Sequence, residues 1–200
     1  MSVNLVKGQK INLRKEGGDS LSNVMVGLGW DEVEQKRGFF ASLFSAPPAD
    51  IDCDASAILC QNGRLVDKRD LVFYNNLRHY TGTVVHQGDN LTGAGEGDDE
   101  QIFVNLDGLP REYDKVVFVV TIYQAYERKQ HFGLIRNAFI RVCDGRNGRE
   151  LCKFNLSENY NGRTAMIVGE LYRHEGEWKF NAIGQPTNDN SIVEMAARFQ

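Results

Sequence analysis

"TAMIVGELYRHEGEWKFNAIG", residues 164–184, sets two apolar, β-prone runs on either side of a short polar break centred on Glu175-Gly176. Glycine tolerates the positive backbone angles that tight turns need, so the stretch reads as two antiparallel strands joined by a hairpin turn. Working outward, runs of the same kind recur as "VMVGLGW" (24–30), "ASAILC" (55–60), "TVVH" (83–86), "QIFVNL" (101–106), "KVVFVVTIY" (115–123), "NAFIRVC" (137–143) and "ELCKFNL" (150–156). "GRNGRE" (145–150) supplies a second hairpin turn between the last two. This rhythm is that of an antiparallel sandwich and not of alternating strands and helices.

One helix is expected, at the C-terminal end. Ser191 followed by Glu194 makes a capping box, and Ile192, Met195, Ala196 and Phe199 fall at helical spacing, so one face should pack on the sandwich. The predicted fold class is therefore all-β: a two-sheet antiparallel β-sandwich with a short C-terminal helix. With 200 residues and 42% hydrophobic composition, the chain can bury one good core, and residues 1–200 are read as a single domain. Residues 31–50, "DEVEQKRGFFASLFSAPPAD", break the strand rhythm and read as an inserted loop. Its Phe39, Phe40, Leu43 and Phe44 either fold back on the core or form an exposed docking patch.

The net charge of −4 hides two acidic concentrations. "GDNLTGAGEGDDE" (88–100) carries five acids and "ADIDCD" (49–54) three; without those eight, 19 acids face 23 bases, a balance of +4. A general nucleic-acid footprint is not expected from that distribution, whereas local cation sites are. Ca²⁺ needs six to eight oxygen ligands, which carboxylates, Asn side chains and backbone carbonyls provide. Asp89, Asn90, Asp98, Asp99 and Glu100 offer side-chain oxygen, and glycines 88, 93, 95 and 97 let the backbone turn its carbonyls inward. Asp52 and Asp54 stand two apart, on one face if the strand has begun. Asn75 and Asn76 add neutral donors from the "FYNN" turn. No EF-hand is present, because Asp52-x-Asp54-x-Ser56 lacks that loop's glycine and distal glutamate.

Two other chemistries compete for these residues. Clustered carboxylates can hold cations that activate water in a metal-dependent hydrolase, although His79, His86, His131 and His174 are scattered and only His86 lies near the acids. A calcium-dependent lectin-like module would present aromatic faces, for which Trp30, Tyr74, Tyr80 and Trp178 are available. Cys53, Cys60, Cys143 and Cys152 have no C-x-x-C spacing and read as buried thiols of a reduced compartment. The start, "MSVNLVKGQKINL", lacks the pattern of an export signal, and a soluble, cytoplasmic protein is expected.

Nearly the whole chain resembles the TerD family, the tellurium-resistance and general stress proteins of bacteria. The resemblance rests on "MSVNLVKGQKINL", "VMVGLGWD", "DIDCDASAILC", "DLVFYNN", "TGTVVHQGDNLTGAGEGDDEQIFVNLDGLP", "KVVFVVTIY", "FGLIRNAFIRV" and "TAMIVGELYRHEGEWKFNAIG", in family order. It implies a two-sheet sandwich whose acidic loops bind Ca²⁺, with more than one ion, at Asp52, Asp54, Asn75, Asn76, Asp89, Asn90 and Asp98 to Glu100. Asp31, after "GLGW", also matches the family pattern and joins the candidate ligands. The implied role is a non-enzymatic, calcium-dependent interaction module of a stress-response system. Its expected partners are other stress-response proteins of this type, with peripheral contact at the inner membrane and no direct nucleic-acid binding. Direct redox chemistry on tellurite is not expected, since the cysteines lack redox spacing.

Overall fold

The computed structural model describes residues 2–15, 17–32, 51–88 and 97–200. Four strands open the chain: β1 (Val3–Leu5), β2 (Lys10–Asn12), β3 (Asn23–Glu32) and β4 (Cys53–Cys60). They are followed by β5 (Leu71–Val72), β6 (Val84–His86), β7 (Glu100–Asn105) and β8 (Lys115–Ile122). A single helical turn, α1 (Ala125–Arg128), precedes β9 (Ile135–Asp144), β10 (Glu150–Asn155), β11 (Ala165–His174), β12 (Glu177–Thr187) and the C-terminal α2 (Ile192–Ala197).

The strands form two six-stranded sheets, ordered β1-β10-β9-β3-β7-β6 and β2-β12-β11-β8-β4-β5. The expected all-β sandwich is therefore observed, with one departure: β1 runs parallel to β10 at the edge of the first sheet. β11 and β12 pair antiparallel from Ala165↔Thr187 to His174↔Glu177, around a turn in which Glu175 and Gly176 take φ of 55° and 79°. That is the two-residue hairpin implied by residues 164–184.

A core common to both sheets contains Val24, Val26, Leu28, Trp30, Ile102, Phe118, Ile140, Phe154 and Phe180. A second cluster lies on the outer face of the second sheet, where Ile192, Met195 and Ala196 of α2 cover Ile58, Val117, Val119, Ala165 and Ile167. β4 is buried along its whole length and β8 from its second residue on, because both of their faces are covered. α2 begins as the capping box requires, with the Glu194 N–H donating to Ser191 Oγ at 3.2 Å. Each of its larger buried side chains contributes roughly 1.5–3 kcal/mol. No helix among the described residues is long and apolar enough to cross a membrane.

The topology positions the acidic segments. β4 and β7 are each the second strand from an edge, and Asp52-Cys53-Asp54 and Asp98-Asp99-Glu100 stand where these strands begin. β3 continues to Glu32, so Asp31 belongs to a strand, while 33–50 and its phenylalanines lie outside the described residues.

Candidate metal centre

Five segments meet at one end of the sandwich. Leu28 pairs with Glu100, and the Asp99 N–H donates to the Leu28 carbonyl at 2.8 Å, which brings Asp31 at the end of β3 alongside the start of β7. The Ala55 N–H donates to a Glu100 carboxylate oxygen, joining the start of β4 to β7 across the core. The β4/β5 register, Ile58↔Leu71 and Ala57↔Val72, carries the Asn75-Asn76 turn toward the Asp54 end of β4. β6 ends beside them, with His86 opposite Ile102. Asp89 and Asn90 lie outside the described residues, but Gly88 and Gly97, which flank them, both emerge at this end.

The first sheet holds the return of the acidic loop through two glycines. Gly27 pairs with Arg141 on one side and Gln101 on the other, so the three residues form one row across the sheet. The Asp98 carboxylate lies on that row: Arg141 donates through Nε at 2.7 Å and a terminal nitrogen at 2.9 Å, and Gln101 Nε2 at 3.0 Å. A Cβ on Gly27 would stand 2.3 Å from the carboxylate, and one on Gly29 would stand 2.6 Å from the Gly97 carbonyl oxygen. The Gly-x-Gly of "VMVGLGW" is thus the floor on which residues 97 and 98 lie. The Asp98 side chain is 0% exposed, and its charge is balanced chiefly by Arg141, which also reaches Glu150 at 3.3 Å.

Asp99 accepts the Trp30 N–H at 2.7 Å. Burial pushes its pKa up, and the nearby Asp31 and Asp98 charges add to the rise while the Trp30 N–H opposes it. Asp31 accepts from Asn137 Nδ2 at 2.6 Å, and Asn137 holds a left-handed backbone, φ 54°, at this contact. Glu100 is buried, with His86 Nε2 at 3.5 Å from its carboxylate and at 3.1 Å from the Ala55 carbonyl. The Gly88 N–H donates to His86 Nδ1 at 3.1 Å, which assigns the ring proton to Nε2. Asp54 is buried and Asp52 half-buried. Asn76 closes its turn by donating Nδ2 to the Leu71 carbonyl at 2.6 Å, and Asn75 is exposed.

The donor set is the oxygen-rich kind that a hard cation takes. Among the described residues, however, no group of three or more His, Cys, Asp or Glu stands arranged to hold a metal ion. A full coordination shell would therefore have to draw further oxygen from neutral side chains, carbonyls or the segment at 89–96.

The family model for the TerD domain matches residues 1–199. The chain belongs to the TerD family. Stress response protein SCP2 of Bacillus subtilis (strain 168) is 50% identical over 199 residues, covering all of both chains. The tellurium resistance protein TerD of Serratia marcescens is 47% identical over 186 residues, covering 92% of this chain and 91% of that one. A solved homologue of telluride resistance protein from Streptomyces coelicolor superposes with a TM-score of 0.62 at 26% identity, over 88% of this chain and 96% of the other. These names speak of resistance and stress response, and none of them names an enzymatic reaction.

As a TerD protein the chain does not offer reactive thiols among its four cysteines, all of which are buried and unbridged. Burial pushes Cys60 and Cys152 up to about 12, and raises Cys143 as well, so these three stay protonated near neutrality. Of the aromatic residues considered for sugar binding, Trp30 and Trp178 belong to the core, while Tyr74 and Tyr80 are exposed. His79 forms a line of contacts, Nε2 to Asp70 Oδ1 at 3.2 Å and Nδ1 to Thr81 Oγ1 at 2.7 Å. Tyr113 donates to the same Asp70 oxygen at 2.6 Å, and Thr83 meets the Thr81 hydroxyl at 2.7 Å, so the line closes into a buried structural network.

Proposed function

We propose that this protein is a calcium-binding, non-enzymatic module of a bacterial stress-response system, with its ions at the acidic end of the sandwich. The observation that carries this reading is the convergence there of Asp31, Asp52, Asp54, Asp99 and Glu100 with the two ends of the 88–100 loop. Carboxylates gathered on one face repel one another; burial is the main cause of the raised pKa of Asp99, and the Asp31 and Asp98 charges add to that cost. A divalent cation removes it. Asp98 has both oxygens engaged, so in this reading it pins the loop's return while its neighbours, Asn75, Asn76, Asp89 and Asn90 supply ligand oxygen.

Ion occupancy would change the charge of that end, beside the fixed row at Gly27, from acidic toward neutral. A surface so altered can favour a stress-response partner or the anionic inner face of a membrane only when calcium is bound. A cytoplasmic location follows from that role.

Thermal unfolding of chelator-stripped protein with and without calcium tests the reading. At a hundred times Kd, binding to the folded state alone adds about 2.7 kcal/mol. A clear rise in Tm with calcium, absent with equal ionic strength of sodium, is expected; identical melting curves would refute the proposal.

A further inference from the structure

On the outer face of the first sheet, between the ends of β3, β9 and β10, lies a cleft of about 640 Å³. Its described walls include Trp30, Asp31, Asn137, Phe139, Lys153, Asn155 and Ser157. Three observations point to a ligand.

First, Lys153 is an uncompensated cation held in place. Its Nζ sits 3.7 Å from the centroid of the Phe139 ring, and among the described residues no carboxylate pairs with it. Arg141, its cross-strand partner, is by contrast neutralised by Asp98 and Glu150. A lysine free in solvent would spread over many rotamers, whereas this one is parked over an aromatic ring inside a cleft.

Second, the indole N–H of Trp30, a residue only 6% exposed, meets no acceptor among the described residues. A buried donor without a partner costs roughly 1–3 kcal/mol, and Trp30 is a wall residue of the cleft.

Third, the cleft is graded along β9. Lys153 pairs with Arg141 and Asp31 with Arg136, while their charged ends lie over Phe139 and against Asn137, two positions apart along β9. The cation marks one end and the Asp31 carboxylate with Asn137 the other; Asn155 lies between, opposite Phe139, and Ser157 follows it toward the Asn137 end. Phe139, Ala138 and Leu156 give apolar surface between.

We infer that this cleft binds a small organic anion, with its carboxylate or phosphate on Lys153 and its apolar body along Phe139 and Leu156. Asp31 repels a second negative group and favours a hydroxyl or ammonium at the far end. Recognition of the anion does not require calcium, because the cation that recognises it is Lys153 itself, although Asp31 at the far end is also among the proposed calcium ligands.

The test is an NMR titration of the full chain in chelator, with phenyl phosphate, benzoate, inorganic phosphate and neutral benzyl alcohol as separate probes. The Trp30 indole N–H resonance, assigned with Trp30→Phe, reports on the cleft. Saturable shifts with a Kd of about 1 mM or tighter for an aromatic anion are expected, weakened roughly tenfold in Lys153→Met and kept in Lys153→Arg. Phenyl phosphate binding above benzoate would mark a phosphate ester as the ligand class, and the reverse order a carboxylate; either supports the site. Unaltered binding in Lys153→Met, benzyl alcohol binding as tightly as the anions, or no saturable shift with any probe would overturn it. Running the titration in chelator keeps its failure separate from a failure of calcium binding.

Discussion

Asp98 and Arg141 meet over Gly27, a bidentate pair at 2.7 and 2.9 Å laid across a position that no side chain could occupy. The acidic loop therefore returns to the sheet at a fixed point before any ion is considered. Removing the cation by Arg141→Met would leave a fully buried carboxylate that keeps, among the described residues, only the Gln101 hydrogen bond and no balancing charge. Since Arg141 is itself 29% exposed, the loss should be about 2–4 kcal/mol and not the largest values known for buried pairs. Urea denaturation of the variant measures it.

Gly27→Ala should be nearly as costly, for a steric reason. Its new methyl would stand 2.3 Å from the Asp98 carboxylate and force it off Arg141, costing roughly 1–3 kcal/mol. The double variant Gly27→Ala with Arg141→Met should cost less than the sum of the two, since both break the same contact. Strict additivity would mean that the two residues act separately.

Asp99 carries a prediction of opposite signs. Its folded pKa is raised, so the stability it contributes is present when it is protonated at acid pH and is lost as pH rises through the folded pKa. Asp99→Asn should accordingly raise the Tm of metal-free protein at pH 7 and leave it little changed near pH 3. The same variant should bind calcium more weakly, a pairing that a merely structural aspartate would not produce.

Asp189 behaves the other way. Burial alone would raise its pKa, but Arg198 at 2.6 Å and the Thr187 hydroxyl at 2.7 Å hold it below the ordinary carboxylate value. The stability it contributes is present above the unfolded pKa and lost as pH falls through the folded one. Arg198 is 46% exposed, so the ion pair is worth no more than about 1 kcal/mol. Hydrogen exchange at Met195 and Ala196 should quicken in Asp189→Asn at pH 7, and the difference from wild type should vanish as pH falls through the lowered folded pKa.

Much of this fold was legible in the sequence because its strands are long enough to show themselves. The hairpin read at 164–184 and the capping box at Ser191 are local signals, and both formed, the hairpin's second strand running on to Thr187. β1, β2 and β5 escaped because two or three residues show no period. α1 escaped because one turn, entered through Gln124 at φ 51°, has no helical stripe. Trp30 and Trp178 were open to either a sugar-binding face or the core and proved to be core; an aromatic in a strand does not announce which face it takes.

At the candidate site, the acids announced themselves by composition, but their supports did not. Arg141 lies 43 residues from Asp98 and reaches it only through the register of β3 with β9. The alternating glycines of "VMVGLGW" were the available signal, since glycine inside a strand often marks a close backbone approach. His86 was noticed for its nearness to the acids, yet its contact with Glu100 comes from the pairing of β6 with β7, and that with Ala55 needs the facing of the two sheets.

Calorimetric titration of chelator-stripped protein with calcium, then with magnesium, tests the central claim most directly when repeated on Asp99→Asn and Asp52→Asn. Saturable calcium binding at about micromolar Kd, weaker in both variants and much weaker for magnesium, is the expected result. No heat with calcium, or binding indifferent to both substitutions, would contradict a calcium centre at this end of the sandwich.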